Sequence, residues 1–112
     1  MAHGTHEQAR LRPLLRRERQ VSDMYRMVWI TCQFEKTIQR IESLEKPSFE
    51  FMQKLVGGYV TQTIATFEGE EVWILVDEDG IGKGLSLNHM ASSYADQELV
   101  GDALILVNFE LD

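Results

Sequence analysis

Leu55-Val56-Gly57-Gly58-Tyr59 decides the fold, because it closes a helix and opens a strand within one short stretch. Upstream of it, Phe51 and Leu55 stand one helical turn apart with Met52 and Val56 beside them, and Ser48 supplies an N-cap hydroxyl. Glu50 suits the positive start of that helix and Lys54 its negative end. Gly57 is expected to stop the helix in the left-handed C′ conformation that side chains resist. Gly58 then lets the chain turn straight into a strand from Tyr59 to Phe67. Along it Tyr59, Thr61, Thr63, Ala65 and Phe67 face one way, and Val60, Gln62, Ile64 and Thr66 the other.

Downstream, Glu68-Gly69-Glu70-Glu71 reads as a hairpin turn. Val72-Trp73-Ile74-Leu75-Val76 is a continuous apolar run, the pattern of a central strand buried on both faces. Asp77-Glu78-Asp79-Gly80 ends that strand. A second glycine motif, Gly82-Lys83-Gly84-Leu85-Ser86-Leu87-Asn88, leads to a helix carrying Met90, Ala91, Tyr94 and Ala95, capped by Asn88 or Ser86. A third, Val100-Gly101-Asp102-Ala103, lies in a last strand expected from Leu99 to Phe109, with Leu104 and Leu106 inward and Val100 a further candidate.

Toward the N-terminus, Tyr25 to Phe34 alternates as a strand. Val28, Ile30, Cys32 and Phe34 form an almost wholly apolar face expected to meet the core, with Tyr25, Met27, Trp29, Thr31 and Gln33 opposite. Glu35-Lys36 reads as a tight turn and Thr37 to Glu42 as the returning strand, although the spacing of Ile38, Ile41 and Leu44 suits a helical turn equally. Glu45-Lys46-Pro47 breaks the chain. The order β-β-α-β-β-α-β specifies a single α+β domain over residues 27–112, a mostly antiparallel sheet of about five strands packed against two helices.

The three glycine motifs in this order resemble a small domain family of unknown function common in bacteriophages and other mobile elements. Its members carry a helix ending in a Val-Gly-Gly-Tyr-like step, an acidic turn followed by Lys-Gly-Leu-x-x-Asn, and a late Val-Gly-Asp strand. The resemblance runs from about Met27 to Phe109. It implies a fold and a phage-like origin, and no activity.

Charge divides the chain. Residues 1–26 hold six arginines against three acidic residues, whereas residues 27–112 hold five basic and fifteen acidic ones. A body that acidic repels phosphate backbones, so no nucleic-acid partner is expected for the folded domain, while a basic protein partner would suit it. The first 26 residues read as a basic extension, with a short helix from about Pro13 to Gln20. Two readings of it stay open: a basic arm, or upstream sequence ahead of a natural start at Met24 or Met27. Met1 to Gln20 lacks the apolar core of a signal peptide, and no run approaches the roughly 18–20 apolar residues of a membrane span. Cys32 is the only cysteine, which excludes an intramolecular disulfide and a cysteine-rich zinc site. A buried, inert thiol and folding in the cytoplasm, that of a host cell for a phage protein, are the expectations.

Candidate chemistry is sparse. Asp77-Glu78-Asp79-Gly80 fails the calcium-loop pattern, because acidic side chains do not alternate through a glycine and Asn88 stands where the twelfth-position glutamate belongs. Gly80-Ile81-Gly82-Lys83-Gly84 fails the phosphate-loop pattern, since Lys83 is followed by glycine and the glycines are too close. A weaker reading survives: Lys83, Gly84 and Asn88, with the backbone N–H groups before the second helix, hold one anionic group. Against it, Asn88 is a helix cap, and Lys83 is expected to be exposed and dispensable for folding. His89 has no second ligand at metal spacing; His3 and His6 lie in the extension. The aromatic residues read as packing, because a base-stacking platform would need basic residues interleaved with them. No nucleophile–base pair is readable, so neither an enzyme, a cofactor nor a metal is expected.

The leading expectation is thus a non-catalytic, phage-like accessory protein that binds a protein partner. The runner-up is a binder of an anionic metabolite or nucleotide signal near Lys83 and Asn88. Few devices protect the sheet edges, so a homodimer or higher closed oligomer is expected as well.

Overall fold

The computed structural model describes residues 24–32 and 37–111. β1 (Tyr25–Thr31) and β2 (Thr37–Ser43) form one antiparallel hairpin, and β3 (Val60–Phe67) and β4 (Glu70–Asp77) form another. β5 (Ala103–Leu106), last in sequence, lies between them and pairs antiparallel with β1 and β4, giving the order β2-β1-β5-β4-β3. α1 (Phe49–Val56) and α2 (His89–Ala95) cover opposite faces of the sheet. The chain is an α+β domain of the expected element order.

The apolar run in β4 is buried from both sides, as its composition requires. Val72, Ile74 and Val76 pack with Met90, Ala91, Tyr94 and Ala95 of α2, while Leu75 packs with Met52 and Val56 of α1 and Trp73 lies against that cluster. α1 starts and stops where its caps place it. Ser48 Oγ accepts from Phe51 N at 3.1 Å, and Gly57 adopts φ 98° with its N–H donating to Gln53 O at 2.7 Å. The Trp29 indole N–H donates to Leu55 O at 2.9 Å and ties α1 to β1.

Several boundaries differ from the sequence expectation. β1 begins at Tyr25 as expected but ends at Thr31 rather than Phe34, and it has two core faces rather than one. Met27 packs under α1, and Val28 and Ile30 under α2, because β1 is an inner strand of a sheet with a helix on each side. The last strand is only four residues long, against the expected Leu99 to Phe109. Upstream of it Val100 makes an isolated bridge to Leu87, and Gly101 at φ 80° interrupts the extended backbone. All four β5 residues are buried, since β5 is the middle strand. The β3–β4 turn is Glu68-Gly69 alone, both with positive φ, leaving Glu70 and Glu71 in β4. The readings of residues 1–23 and of the Glu35-Lys36 turn lie outside the described residues. Among the described residues no helix is long and apolar enough to cross a membrane.

Candidate functional site

The three glycine motifs, distant in sequence, meet at one end of the sheet. From the loop between β4 and α2, the Lys83 side chain reaches back to the end of α1. Its ammonium donates to Asp77 Oδ2 at 2.7 Å and to Gly57 O at 3.4 Å. Gly58 lies beneath this pair: a Cβ there would sit 2.8 Å from Lys83 Nζ and 2.9 Å from Asp77 Oδ2. The Gly-Gly step therefore serves two ends, the first glycine stopping the helix and the second admitting the ion pair.

Asp77, last residue of β4, is 5% exposed. Its other oxygen accepts from Asp79 N at 2.8 Å. The hydrogen bond from Lys83 holds its carboxyl below the ordinary aspartate range, against the opposing effect of burial. Lys83 keeps 45% of its side chain exposed, so the pair has one dry and one wet partner. Lys83 is exposed, as expected, but its charge is already matched from below.

The second and third motifs meet a few residues further on. Leu85 covers Gly101, where a Cβ would lie 2.8 Å from Leu85 Cδ1. Asn88 caps α2, its Oδ1 accepting from Ala91 N at 3.1 Å. Its Nδ2 donates to Ile30 O at 3.0 Å and Gly101 O at 2.9 Å, and its own N–H to Leu99 O at 2.8 Å. At 2% exposure, Asn88 is a buried peg joining β1, α2 and the third motif. Asp102 accepts from Cys32 N at 3.0 Å. Cys32, expected to be buried on the core face, is half-buried because β1 ends at Thr31, and burial, then the Asp102 carboxylate, push its thiol up from its ordinary range.

The structure thus separates the sequence candidates. Lys83 points to the C-terminal end of α1, not to the start of α2. Gly84 is exposed at φ 71°, and its N–H donates to Ile81 O at 3.0 Å. The neighbouring N–H groups of Gly80, Lys83 and Leu85 donate to Asp77 O, Asp79 O and Gly80 O. These four amides are thus engaged locally. What remains at Lys83 is an open pocket of about 680 Å³ lined by Glu50, Gln53, Lys54, Gly57, Gly58, Tyr59, Asp79 and Lys83. The part played by α1 in this pocket has no sequence signal, because it arises from a contact between residues 26 positions apart. Among the described residues no group of three or more His, Cys, Asp and Glu side chains is placed to hold a metal ion.

A family model described as a domain of unknown function (DUF3846) matches residues 23–109. No curated protein and no solved structure matches the chain.

Proposed function

We propose, for a chain that belongs to the DUF3846 family of unknown function, that it is a non-catalytic accessory protein of a phage or mobile element and acts by binding a protein partner. The phage association rests on the ordered glycine motifs and the family they resemble. The binding mode rests on one observation: the polar groups at the motif junction are engaged inside the fold. Asn88 has its amide groups bonded internally, and Lys83 is matched by a buried aspartate. Chemistry is then left to the surface, which is acidic and exposes Leu44, Phe49, Phe51, Tyr59 and Ile81. Large exposed apolar side chains rimmed by charge suit association with protein.

The test is affinity capture with the intact protein at rising salt, followed by charge reversal at Glu71 and Asp79. Asp77 is no surface acid and is left unchanged. A partner that is released by salt and weakened by reversal supports the reading; a partner-free protein that turns over a substrate sinks it.

A second reading has a specific observation in its favour. The pocket at Lys83 is large enough for an anionic metabolite or nucleotide, and Lys54, Lys83 and Tyr59 line it. Thermal shift with mono-, di- and cyclic nucleotides tests it. A shift lost in Lys83→Ala but kept in a distant variant of equal stability would support this reading over the first.

A further inference from the structure

The two edge strands of the sheet differ in charge: β2 carries Arg40 and Glu42, and β3 carries no charged residue. Tyr59 O accepts from Glu78 N at 2.8 Å, and Phe67 pairs with Glu70 across a two-residue turn. Backbone direction alternates along a strand, so Thr61, Thr63, Ala65 and Phe67 turn their N–H and C=O toward β4. Val60, Gln62, Ile64 and Thr66 turn theirs outward, where the sheet ends. The eight residues of β3, VTQTIATF, include no charge and no proline. Ile64 is 43% exposed. Natural edges are normally closed by such devices, and among the described residues no further strand pairs with this one on its outer side.

Charge defines what fits. Glu68 and Glu70 stand at the hairpin end of β3, and Glu78 and Asp79 at its start. Among the described residues the cations lining the pocket near the start are Lys54 and Lys83, and Lys83 is matched by Asp77. The edge is thus a neutral strip with acidic ends. The geometry points to addition of a sixth strand here: an extended segment of a protein partner, about eight residues long, uncharged in its middle and basic at its ends. This rests on the protein-binding reading above and names its surface. A second copy of this chain fits less well, since an antiparallel β3–β3 pairing would bring the acidic hairpin of each copy to the acidic start of the other.

The experiment uses the full chain and a capped peptide, a Val-Thr-Val-Thr-Val core with two arginines at each end, followed by amide hydrogen exchange. Saturable binding is expected, with protection gained at Gln62, Ile64 and Thr66 and unchanged at Thr61, Thr63 and Ala65. Glutamates in place of the arginines, or Ile64→Lys in the protein, should weaken binding at least tenfold. Gln62→Pro, which removes only an outward N–H, should do the same while the thermal midpoint holds within a few degrees. No saturable binding, binding without the alternating protection, or equal affinity for the glutamate peptide overturns the inference. So does a dimer by light scattering that Ile64→Lys dissolves, which makes the occupant a second copy. So does protection already present in the full chain and lost on removing residues 1–23, which makes it the chain's own segment. A natural partner that still binds Ile64→Lys protein would keep the protein-binding reading and discard this edge.

Discussion

The two edge strands of this sheet are built to opposite standards. On β2 the outward-facing backbone belongs to Ile38, Arg40 and Glu42, because Arg26 bonds toward β5 and fixes the alternation across β1. Those positions carry an ion-pair ladder: Arg40 Nη2 lies 2.8 Å and Arg26 Nε 3.1 Å from Glu42 Oε2. A strand approaching β2 would have to displace charged side chains. β3 presents an equally regular edge with nothing charged in it. The contrast is why the proposed partner strand is placed on one side of the molecule, since a guarded edge opposite an uncharged one would direct pairing to a single strand.

The strongest way to break this comparison is to test the backbone alternation itself. Thr63→Pro removes an N–H that bonds to β4 and should cost on the order of 2 kcal/mol or more, whereas Gln62→Pro should cost well under half of that. Equal losses in urea unfolding would show that the outward set on β3 is misassigned.

The next effect concerns how the open edge is anchored. β3 leaves the Gly-Gly step beneath the Lys83–Asp77 pair, so Lys83→Ala leaves a carboxylate buried without its cation. A loss of about 1–3 kcal/mol is expected at neutral pH. The pH dependence has a definite sign. Asp77 is depressed in the folded state, so its contribution is present above the unfolded value of about 3.9 and is lost as pH falls through the lower folded value. The gap between wild type and Lys83→Ala should therefore be full at pH 7 and shrink in acid below about pH 4. A gap that is constant with pH would show that the lysine acts through packing alone.

Smaller is Gly57→Val, which places a β-branched residue at φ 98° just before β3. A loss of about 1 kcal/mol or more is expected by thermal unfolding. The smallest effect is at the guarded edge. Arg40→Thr removes a half-exposed ion pair and should change stability by less than about 1 kcal/mol. Its informative readout is association: light scattering should show more self-pairing than wild type if Arg40 guards β2.

Much of this was legible in the chain. The Ser48 cap, the Gly57 stop, the Asn88 cap and the two-faced burial of Val72 to Val76 are local matters, in which a residue's own backbone preference or a continuous apolar run settles the outcome. Periodicity misled at β1 and β5. Alternation assigns one buried face per strand, and it has no means of registering that Met27 and Val28 would each find a helix above them. Nor did the apolar pattern around Leu99 to Phe109 reveal that Gly101 would cut the strand short.

At the motif junction, Lys83 and Asn88 stand out in the sequence but their partners do not. Lys83 stands out between two glycines, yet only the fold brings it to Asp77 and Gly57. Asn88 reads as a cap, yet only the fold makes it a link to Ile30 and Gly101, 58 and 13 residues away. Caps, the acidic charge of the body and the type of every element but β2 were legible in the chain alone, because they depend on neighbours within a turn or on composition; β2 became a strand only through its pairing with β1. The placement of β5 between two hairpins, the meeting of the three glycine motifs and the choice of β3 as the open edge were decided by tertiary structure. Each depends on which distant strands share hydrogen bonds, and burial from both sides selects that pairing only once the whole sheet has closed around β5.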